Sequence, residues 1–357
     1  MKNIFFACCS ILIFFFIFFG SLNYFFRGVP LFNIFNINIP DLVFVLKKKE
    51  LSELNKVDFN KDHYIHKCGY LEDGFNNLSY RKDIFGFREN KSDLFYDTNI
   101  VILGDSFGAS HCINKPNDLT SKLISNTGDE KILNISVSGT GPYYQKEMMI
   151  NLFNKNNTNF NTFIWLFYEG NDHEELKNNF GKKFDFNFNV NTIKDLQTSD
   201  QTKVNYVPSI NLTKLKIKFF LSNFTRGFGT LIKYFKSYPK LIIDENMYDI
   251  TVKQLNNFLI ENKIENKIIF YIPKYTRLAY NRINHPQITQ LDNLKDLIER
   301  TAQKYNFEFI DGAFIYHNRP NPLDVFHYNL PTHFNSKGYS ILAEELSIRL
   351  KLLVGSG

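Results

Sequence analysis

Cysteine and tryptophan are scarce in this chain, and several recognisable site patterns are missing from it. Four cysteines and one tryptophan occur among 357 residues, and the formal net charge is a mild +6. No group of His, Cys, Asp or Glu has the spacing of metal ligands, and no glycine-rich loop has the pattern that binds phosphates. No arginine-rich arm or basic recognition helix is present. We therefore expect no metal, no cofactor and no nucleic-acid partner.

The remaining composition is that of a folded globular protein. Hydrophobic residues make up 44% and charged residues 22% of the chain, which excludes a largely disordered protein. Two of the cysteines, Cys8 and Cys9, lie in an apolar N-terminal stretch. The other two, Cys68 and Cys112, either pair in an oxidising compartment or remain separate buried thiols.

Residues 1–28 form a segment unlike the rest of the sequence. After Lys2 an uncharged apolar run approaches the roughly 20 residues that span hydrocarbon. No small-x-small cleavage site follows, which favours an uncleaved signal anchor over a cleaved signal peptide. We expect a single-pass membrane protein whose main domain lies outside the cytoplasm, on the periplasmic or extracellular side. The basic residues at 47–49 oppose this orientation by the positive-inside rule, so the orientation rests on function.

Strand and helix patterns alternate through residues 97–352. This alternation predicts an α/β domain with a mostly parallel, doubly wound sheet and right-handed crossovers. Residues 29–96 are interpreted as a tether and lead-in segment, and about 174–245 as an insertion that fits no strand–helix repeat. The strands are predicted at 99–104, 131–135, 162–168, 267–272 and 307–310.

Small polar turns follow the first three predicted strands. They carry Ser106, Gly139 and Asn171, and His333 lies in the loop just before a final helix that Asn335-Ser336 can cap. Ligands of open α/β sheets bind in the crevice at the carboxyl ends of the strands. We expect these four residues to meet there.

The four residue types match the needs of acyl transfer through serine. A hydroxyl is a poor nucleophile at neutral pH, so a base such as imidazole, with a pKa near 6.5, must take its proton. The tetrahedral intermediate needs preorganised donors for its oxyanion. The backbone N–H groups of Ser106 and Gly139 and the side-chain amide of Asn171 are the candidate donors, and His333 is the candidate base.

The sequence resembles the GDSL/SGNH hydrolases in four ordered blocks. These are Gly104-Asp105-Ser106, the turn at 134–139, the turn at 170–172 and the stretch at 332–339, which is close to the family's His-x-Asn-x-x-Gly-Tyr. The resemblance covers about 97–350, apart from most of the insertion. It implies a flavodoxin-like three-layer α/β/α fold and hydrolysis or transfer of ester-linked acyl groups. The family's nucleophile, oxyanion donors and base fall on the four residues named above.

Two positions depart from the family pattern. The third block has Glu169 where the family commonly has a glycine, and Leu330 stands where the triad acid commonly precedes the histidine by three residues. Asp324 or Asp311 could reach the imidazole from elsewhere, a backbone carbonyl could orient it, or the site could be a Ser–His dyad.

Each candidate also has an ordinary structural interpretation. Asn171 suits a helix cap, Gly139 a turn, and Asp105 and Asp172 suit hydrogen bonds to loop amides. His111, His317 and His327 are interpreted as surface groups, although His111 follows Ser106 closely enough to line a pocket.

The sequence predicts ester hydrolysis or O-acyl transfer, in particular of acetyl groups, on a cell-envelope glycan through an acyl-enzyme on Ser106. Its partners would be an acylated carbohydrate or another ester substrate, and the membrane through the N-terminal helix. The alternative is a catalytically degenerate relative that binds glycan or acts as a scaffold in the envelope.

Overall fold

The computed structural model describes most of the predicted α/β domain and little that precedes it. The predicted anchor at 1–28, Cys68, Cys112, His327 and residues 187–242 of the predicted insertion lie outside the described residues. Among those described, no helix is both long and apolar enough to cross a membrane. The described residues are 63–66, 78–81, 87–88, 90, 92–111, 113–156, 159–184, 186, 243–280, 286–326 and 333–355.

Strands and helices alternate along the described chain. The strands are β1 (His63–His66), β2 (Leu78–Arg81), β3 (Ile100–Gly104), β4 (Ile132–Asn134), β5 (Thr162–Tyr168), β6 (Asn266–Ile272) and β7 (Glu308–Asp311). The α-helices are α1 (Leu119–Thr127), α2 (Pro142–Asn156), α3 (Asp172–Asn179), α4 (Glu245–Glu261), α5 (Tyr275–Tyr280), α6 (Pro286–Lys304), α7 (Gly312–His317) and α8 (Ser336–Gly355). Short 3-10 helices span Ser92–Phe95 and Pro322–Val325.

Five of the described strands form one parallel sheet in the order β4-β3-β5-β6-β7. The order reverses at β3, since the chain moves outward to β4 and then returns to the other side at β5. The crevice at such a switch point is where open α/β sheets bind ligands. The turns after β3 and β5, which carry Ser106 and Asn171, flank this crevice. A separate antiparallel pair is formed by β1 and β2.

Helices cover both faces of the sheet because the central strands are apolar on both sides. In β3, Ile100 and Ile102 face a core that includes residues of α1 and α8, whereas Val101 and Leu103 face a core that includes residues of α2, α4 and α6. The α/β class and the parallel sheet predicted from the sequence are therefore confirmed.

The ends of the strands β3 to β7 depart from the predicted bounds by at most one residue, whereas one helix begins well before its predicted start. Strand β5 has the predicted bounds, because its apolar run is long and uninterrupted. The apolar pattern predicts this helix near 251–262, but α4 begins six residues earlier, at Glu245, because the Asp244 side chain accepts the N–H groups of Asn246 and Met247. The six-residue helices α5 and α7 were not predicted, since they are too short to show an apolar period.

Candidate active site

The turn after β3 holds Ser106 at the carboxyl edge of the sheet. The chain leaves the fully buried strand at Gly104, and the backbone N–H of Phe107 then donates to Asp105 Oδ1 at 2.8 Å. The N–H of His111 donates to the carbonyl of Ser106 at 2.9 Å. These bonds fix the backbone on both sides of Ser106, whose side chain is half-buried.

The structure brings Ser106 and His333 together across 227 residues of sequence. Ser106 Oγ lies 2.8 Å from His333 Nε2. The imidazole packs beside the ring of Phe107, with 4.9 Å between the ring centroids. When Nε2 carries no proton it can only accept, so the hydroxyl donates to it. This is the hydrogen bond that a serine nucleophile needs with its base.

Asn335 anchors the loop that carries His333. Its buried side chain accepts the N–H of Gly338 at 3.0 Å, which caps α8 as the sequence predicts. The same amide donates to the carbonyls of Asp324 at 2.7 Å and Phe326 at 3.2 Å. The imidazole therefore stands on a loop fixed to two neighbouring segments.

Two buried carboxyl groups hold the turns around Ser106 by hydrogen bonds to backbone N–H groups. Asp105 binds the N–H of Phe107, and Asp172 Oδ2 accepts the N–H of Tyr168 at 2.8 Å. Burial raises the pKa of both groups, that of Asp105 to about 7, and the charge of Asp105 raises the pKa of Asp172 further. Asp105 Oδ2 also lies 3.3 Å from Ser106 Oγ. Both carboxyl groups thus bind loop amides next to the site.

Gly139 occupies the turn after β4 with a left-handed backbone, φ +77°. A Cβ built at this position would meet no atom within 4 Å, so the turn leaves open space beside its backbone. The turn is tied to the end of β3 because the N–H of Val137 donates to the carbonyl of Gly104 at 3.0 Å. A glycine here keeps the backbone accessible to a ligand.

Asn171 stands at the N-cap position of α3 but does not act as a side-chain cap. Its Nδ2 donates instead to Glu175 Oε1 at 2.8 Å. Its Oδ1 is buried and has no hydrogen-bond partner among the described residues. The capping interpretation that the sequence allowed is therefore not what the structure contains.

Glu169, the departure from the family pattern in the third block, forms a buried ion pair. Its Oε1 accepts from Arg277 Nε at 2.7 Å and from the Tyr271 hydroxyl at 2.8 Å. Its Oε2 accepts the backbone N–H of Lys274 at 2.9 Å. Burial raises the pKa of Glu169, and the guanidinium of Arg277 opposes that rise. This carboxylate joins the turn after β5 to the segment after β6.

The two candidate triad acids make other contacts. Asp324 pairs with Lys337 at 2.5 Å, and Asp311 pairs with Lys295 at 2.7 Å. Within the described part of the chain, neither carboxylate hydrogen-bonds to His333. The position that commonly holds the acid in the resembled family lies outside the described residues.

His111 belongs to the site more closely than the sequence indicated. Its ring stacks on that of His333, with centroids 4.3 Å apart and planes inclined by 27°. Its Nδ1 lies 3.2 Å from Ser138 Oγ in the turn after β4. The available signal was its position five residues after Ser106, which places it at the end of the same turn.

The groups assembled here are a hydroxyl, an imidazole and amide donors. Among the described residues, no three His, Cys, Asp or Glu side chains are grouped so as to hold a metal ion. A hydroxyl bonded to an imidazole can attack an electrophilic carbonyl, and amide N–H groups can receive the charge that develops on its oxygen.

Solved structures of lipolytic proteins and esterases match about 70% of the chain. A lipase/acylhydrolase from Enterococcus faecalis has 14% identity and a TM-score of 0.40, covering 71% of this chain and 96% of its own. A lipolytic protein of the G-D-S-L family from Desulfitobacterium hafniense has 13% identity and a TM-score of 0.38, covering 70% and 98%. A catalytic mutant of an acetylxylan esterase from Geobacillus stearothermophilus has 11% identity and a TM-score of 0.36, covering 70% and 92%.

Sequence comparison adds nothing to these structural matches. No protein-family model matches the chain, and no curated protein matches it significantly.

Proposed function

We propose that this protein is a serine esterase or O-acyltransferase that works through an acyl-enzyme on Ser106. The observation that carries the proposal is the 2.8 Å contact between Ser106 Oγ and His333 Nε2. It lies at the switch point of a parallel sheet, where this class of fold binds ligands.

The first half-reaction forms the acyl-enzyme. Ser106 Oγ attacks the ester carbonyl while its proton passes to His333 Nε2, and the carbonyl oxygen becomes an oxyanion. The N–H groups of Ser106 and Gly139 and the amide of Asn171 receive that charge. The intermediate then collapses, the bond to the alcohol breaks, and the leaving alcohol takes the proton from His333.

The second half-reaction returns the free serine. Water or a sugar hydroxyl gives its proton to His333 and attacks the acyl carbonyl, and Ser106 leaves with that proton. Water gives hydrolysis and a sugar hydroxyl gives O-acyl transfer. An assay that compares acyl-sugar formation with free acid at increasing acceptor concentration distinguishes the two.

We propose an acylated cell-envelope glycan as substrate and an extracytoplasmic location for the domain. The support is the apolar segment at 1–28 and the sequence resemblance described above. Membrane fractionation of the full chain, compared with a chain that lacks residues 1–28, tests the anchor. Recovery of both forms in the soluble fraction would contradict it.

Covalent labelling with a fluorophosphonate serine probe tests the nucleophile. We expect labelling of the wild-type protein, localised to Ser106 by mass spectrometry, and none of Ser106→Ala. Ser138→Ala, which removes the hydroxyl of the neighbouring turn, is expected to retain labelling. If the folded wild-type protein does not react while an active serine esterase does, the proposal fails and the glycan-binding alternative is favoured.

A further inference from the structure

The hydrogen bond between Asn171 and Glu175 fixes the orientation of the Asn171 side-chain amide. A carboxylate oxygen without a proton can only accept, so the amide nitrogen, and not the amide oxygen, must face Glu175. An amide nitrogen has two N–H groups. One is used by Glu175, and the other remains for a ligand.

Glu175 is itself held in place by its neighbours. Its backbone N–H donates to the carbonyl of Asn171 at 2.9 Å, in the first turn of α3. On the other side Gly141 packs so closely that a Cβ built there would lie 2.4 Å from the Cβ of Glu175. This contact fixes α3 against the turn after β4, which carries Gly139.

The side chain of Glu175 is partly shielded from solvent, unlike a glutamate on an exposed helix face. The side chain is half-buried, and its second oxygen, Oε2, is buried with no hydrogen-bond partner among the described residues. Burial raises its pKa, and the hydrogen bond from Asn171 opposes the rise. Its charge also raises the pKa of Asp105, which binds the nucleophile turn. By contrast, the adjacent Glu174 is exposed.

We propose that Glu175 is a positioning residue that aims the amide of Asn171 at the oxyanion. The inference rests on the proposed function, because it needs Asn171 to be an oxyanion donor. Without the acceptor at 175 the amide can rotate about its side-chain bonds, and its nitrogen is no longer directed to one place. The donor is then present in the ground state but poorly aligned in the transition state, which lowers kcat more than it changes KM.

The test compares variants at position 175 in the hydrolysis of a small acetyl ester such as p-nitrophenyl acetate. Glu175→Met keeps an unbranched stem against Gly141 and removes the acceptor. Glu175→Gln keeps an acceptor oxygen, and Glu174→Met is the matched control one residue away. We expect Glu175→Met to lower kcat about 10-fold or more with KM within about 2-fold, since a lost oxyanion donor costs about 100- to 1,000-fold. Glu175→Gln and Glu174→Met should stay within about 3-fold of wild type.

A double-mutant cycle with Asn171→Ala tests whether Glu175 acts through the amide. Adding Glu175→Met to Asn171→Ala should lower kcat no further, because the group that it positions is already gone. Circular dichroism checks that each variant is folded, and Glu175→Ala is the second acceptor-free variant if Glu175→Met does not fold.

Three results would overturn this role. They are wild-type kcat in both acceptor-free variants, the same further loss in the Asn171→Ala background, and a Glu175→Gln variant as slow as Glu175→Met. If Ser106 still reacts with the fluorophosphonate probe in those experiments, the proposed function stands and only the role of Glu175 is lost. If the folded wild-type protein neither reacts with the probe nor hydrolyses the ester, both the proposed function and the role of Glu175 are wrong.

Discussion

The imidazole rings of His111 and His333 stack, with their centroids 4.3 Å apart. The backbone of His111 is bonded to the carbonyl of Ser106, and its side chain contacts Ser138. The ring against which His333 packs is therefore fixed to the turn that carries Ser106. Through this contact, the backbone that places the hydroxyl also limits where the imidazole can stand.

Removal of the His111 ring should impair catalysis through loss of packing. We expect His111→Ala to lower kcat/KM about 10-fold, because His333 gains rotational freedom and leaves its hydrogen bond with Ser106. His111→Phe keeps an aromatic surface and should stay within about 3-fold of wild type. Ester hydrolysis at pH 8 measures both. Equal rates for wild type and His111→Ala, or equal losses in the two variants, would contradict this explanation.

Gly139 and Gly128 form a natural pair for testing the turn after β4. Both have left-handed backbones, φ +77° and +75°, and a Cβ at either would meet no atom within 4 Å. An alanine at either position should cost about 1 kcal/mol of stability, because the strain is the same. Only Gly139→Ala should also lower esterase activity, about 10-fold or more, since its methyl group would occupy the space left for substrate.

Thermal unfolding and ester hydrolysis of the two alanine variants provide the measurement. Gly128 follows α1, so Gly128→Ala controls for backbone strain alone. If both variants keep wild-type kcat/KM, substrate does not approach the backbone of Gly139. If both variants lose activity equally, the loss in Gly139→Ala comes from backbone strain and reduced stability, and not from blocked access of substrate.

Asn335 offers a way to separate helix capping from loop anchoring. Asn335→Asp keeps an oxygen that can accept the N–H of Gly338, but it loses the donor to the carbonyls of Asp324 and Phe326. A carboxylate facing two carbonyl oxygens in a buried place is unfavourable, so we expect a loss of about 2 kcal/mol or more. Chemical denaturation measures it, and kcat should fall as the His333 loop loosens.

Ser336→Ala provides the comparison for the Asn335 variant. It removes a hydroxyl on the same turn that contacts Asn117 at 3.0 Å, and it leaves the amide of Asn335 intact. Its effect should be below about 1 kcal/mol. An Asn335→Asp variant as stable and active as Ser336→Ala would show that the two carbonyl contacts do not hold the loop.

The buried carboxyl of Asp105 predicts the direction of pH dependence in stability. Burial raises its pKa from 3.8 to about 7, so the folded protein keeps this proton between about pH 4 and 7 while the unfolded chain releases it. The folded state then binds more protons, and the free energy of unfolding falls as pH rises through that window. One such proton corresponds to a slope of up to about 1.4 kcal/mol per pH unit.

Asp105→Asn should flatten this slope. The amide oxygen can still accept the N–H of Phe107, and no ionisable group remains at position 105. Part of the slope should persist because burial also raises the pKa of Asp172. Urea unfolding at several values between pH 4 and 7 gives the slope, with the exposed Asp97→Asn as control. The same slope in Asp105→Asn as in wild type would refute the assignment.

The strands and their turns were predictable because the signal is local. β3 and β5 are uninterrupted apolar runs that end in small polar residues, and this places Ser106 and Asn171 at one edge of the sheet. The contact between Asn171 and Glu175 also follows a local rule, since residues four apart share a helix face. The spacing alone does not identify this contact, because the amide of Asn171 has other partners open to it, such as the N-terminal backbone groups of α3 or a ligand.

The other contacts depend on the three-dimensional fold. Glu169 and Arg277 are separated by 108 residues, and no sequence pattern shows that the second lies against the first. The position of the His111 ring against His333 depends on the path of the loop after Ser106, and a strand–turn–helix pattern in the sequence does not define that path. The ion pairs of Asp324 and Asp311 with lysines likewise become visible only once α8 and α6 are in place.

The ion pair of Glu169 has a consequence for exchanging parts of this protein. Arg277 neutralises the buried carboxylate of Glu169. The turn after β5 can therefore be buried without an unpaired charge only in a protein that also contains the segment after β6. A chimaera that receives residues 160–180 without 266–280 would enclose a negative charge with no cation beside it, at a cost of several kcal/mol. The two segments should be inherited, or transplanted, as one unit.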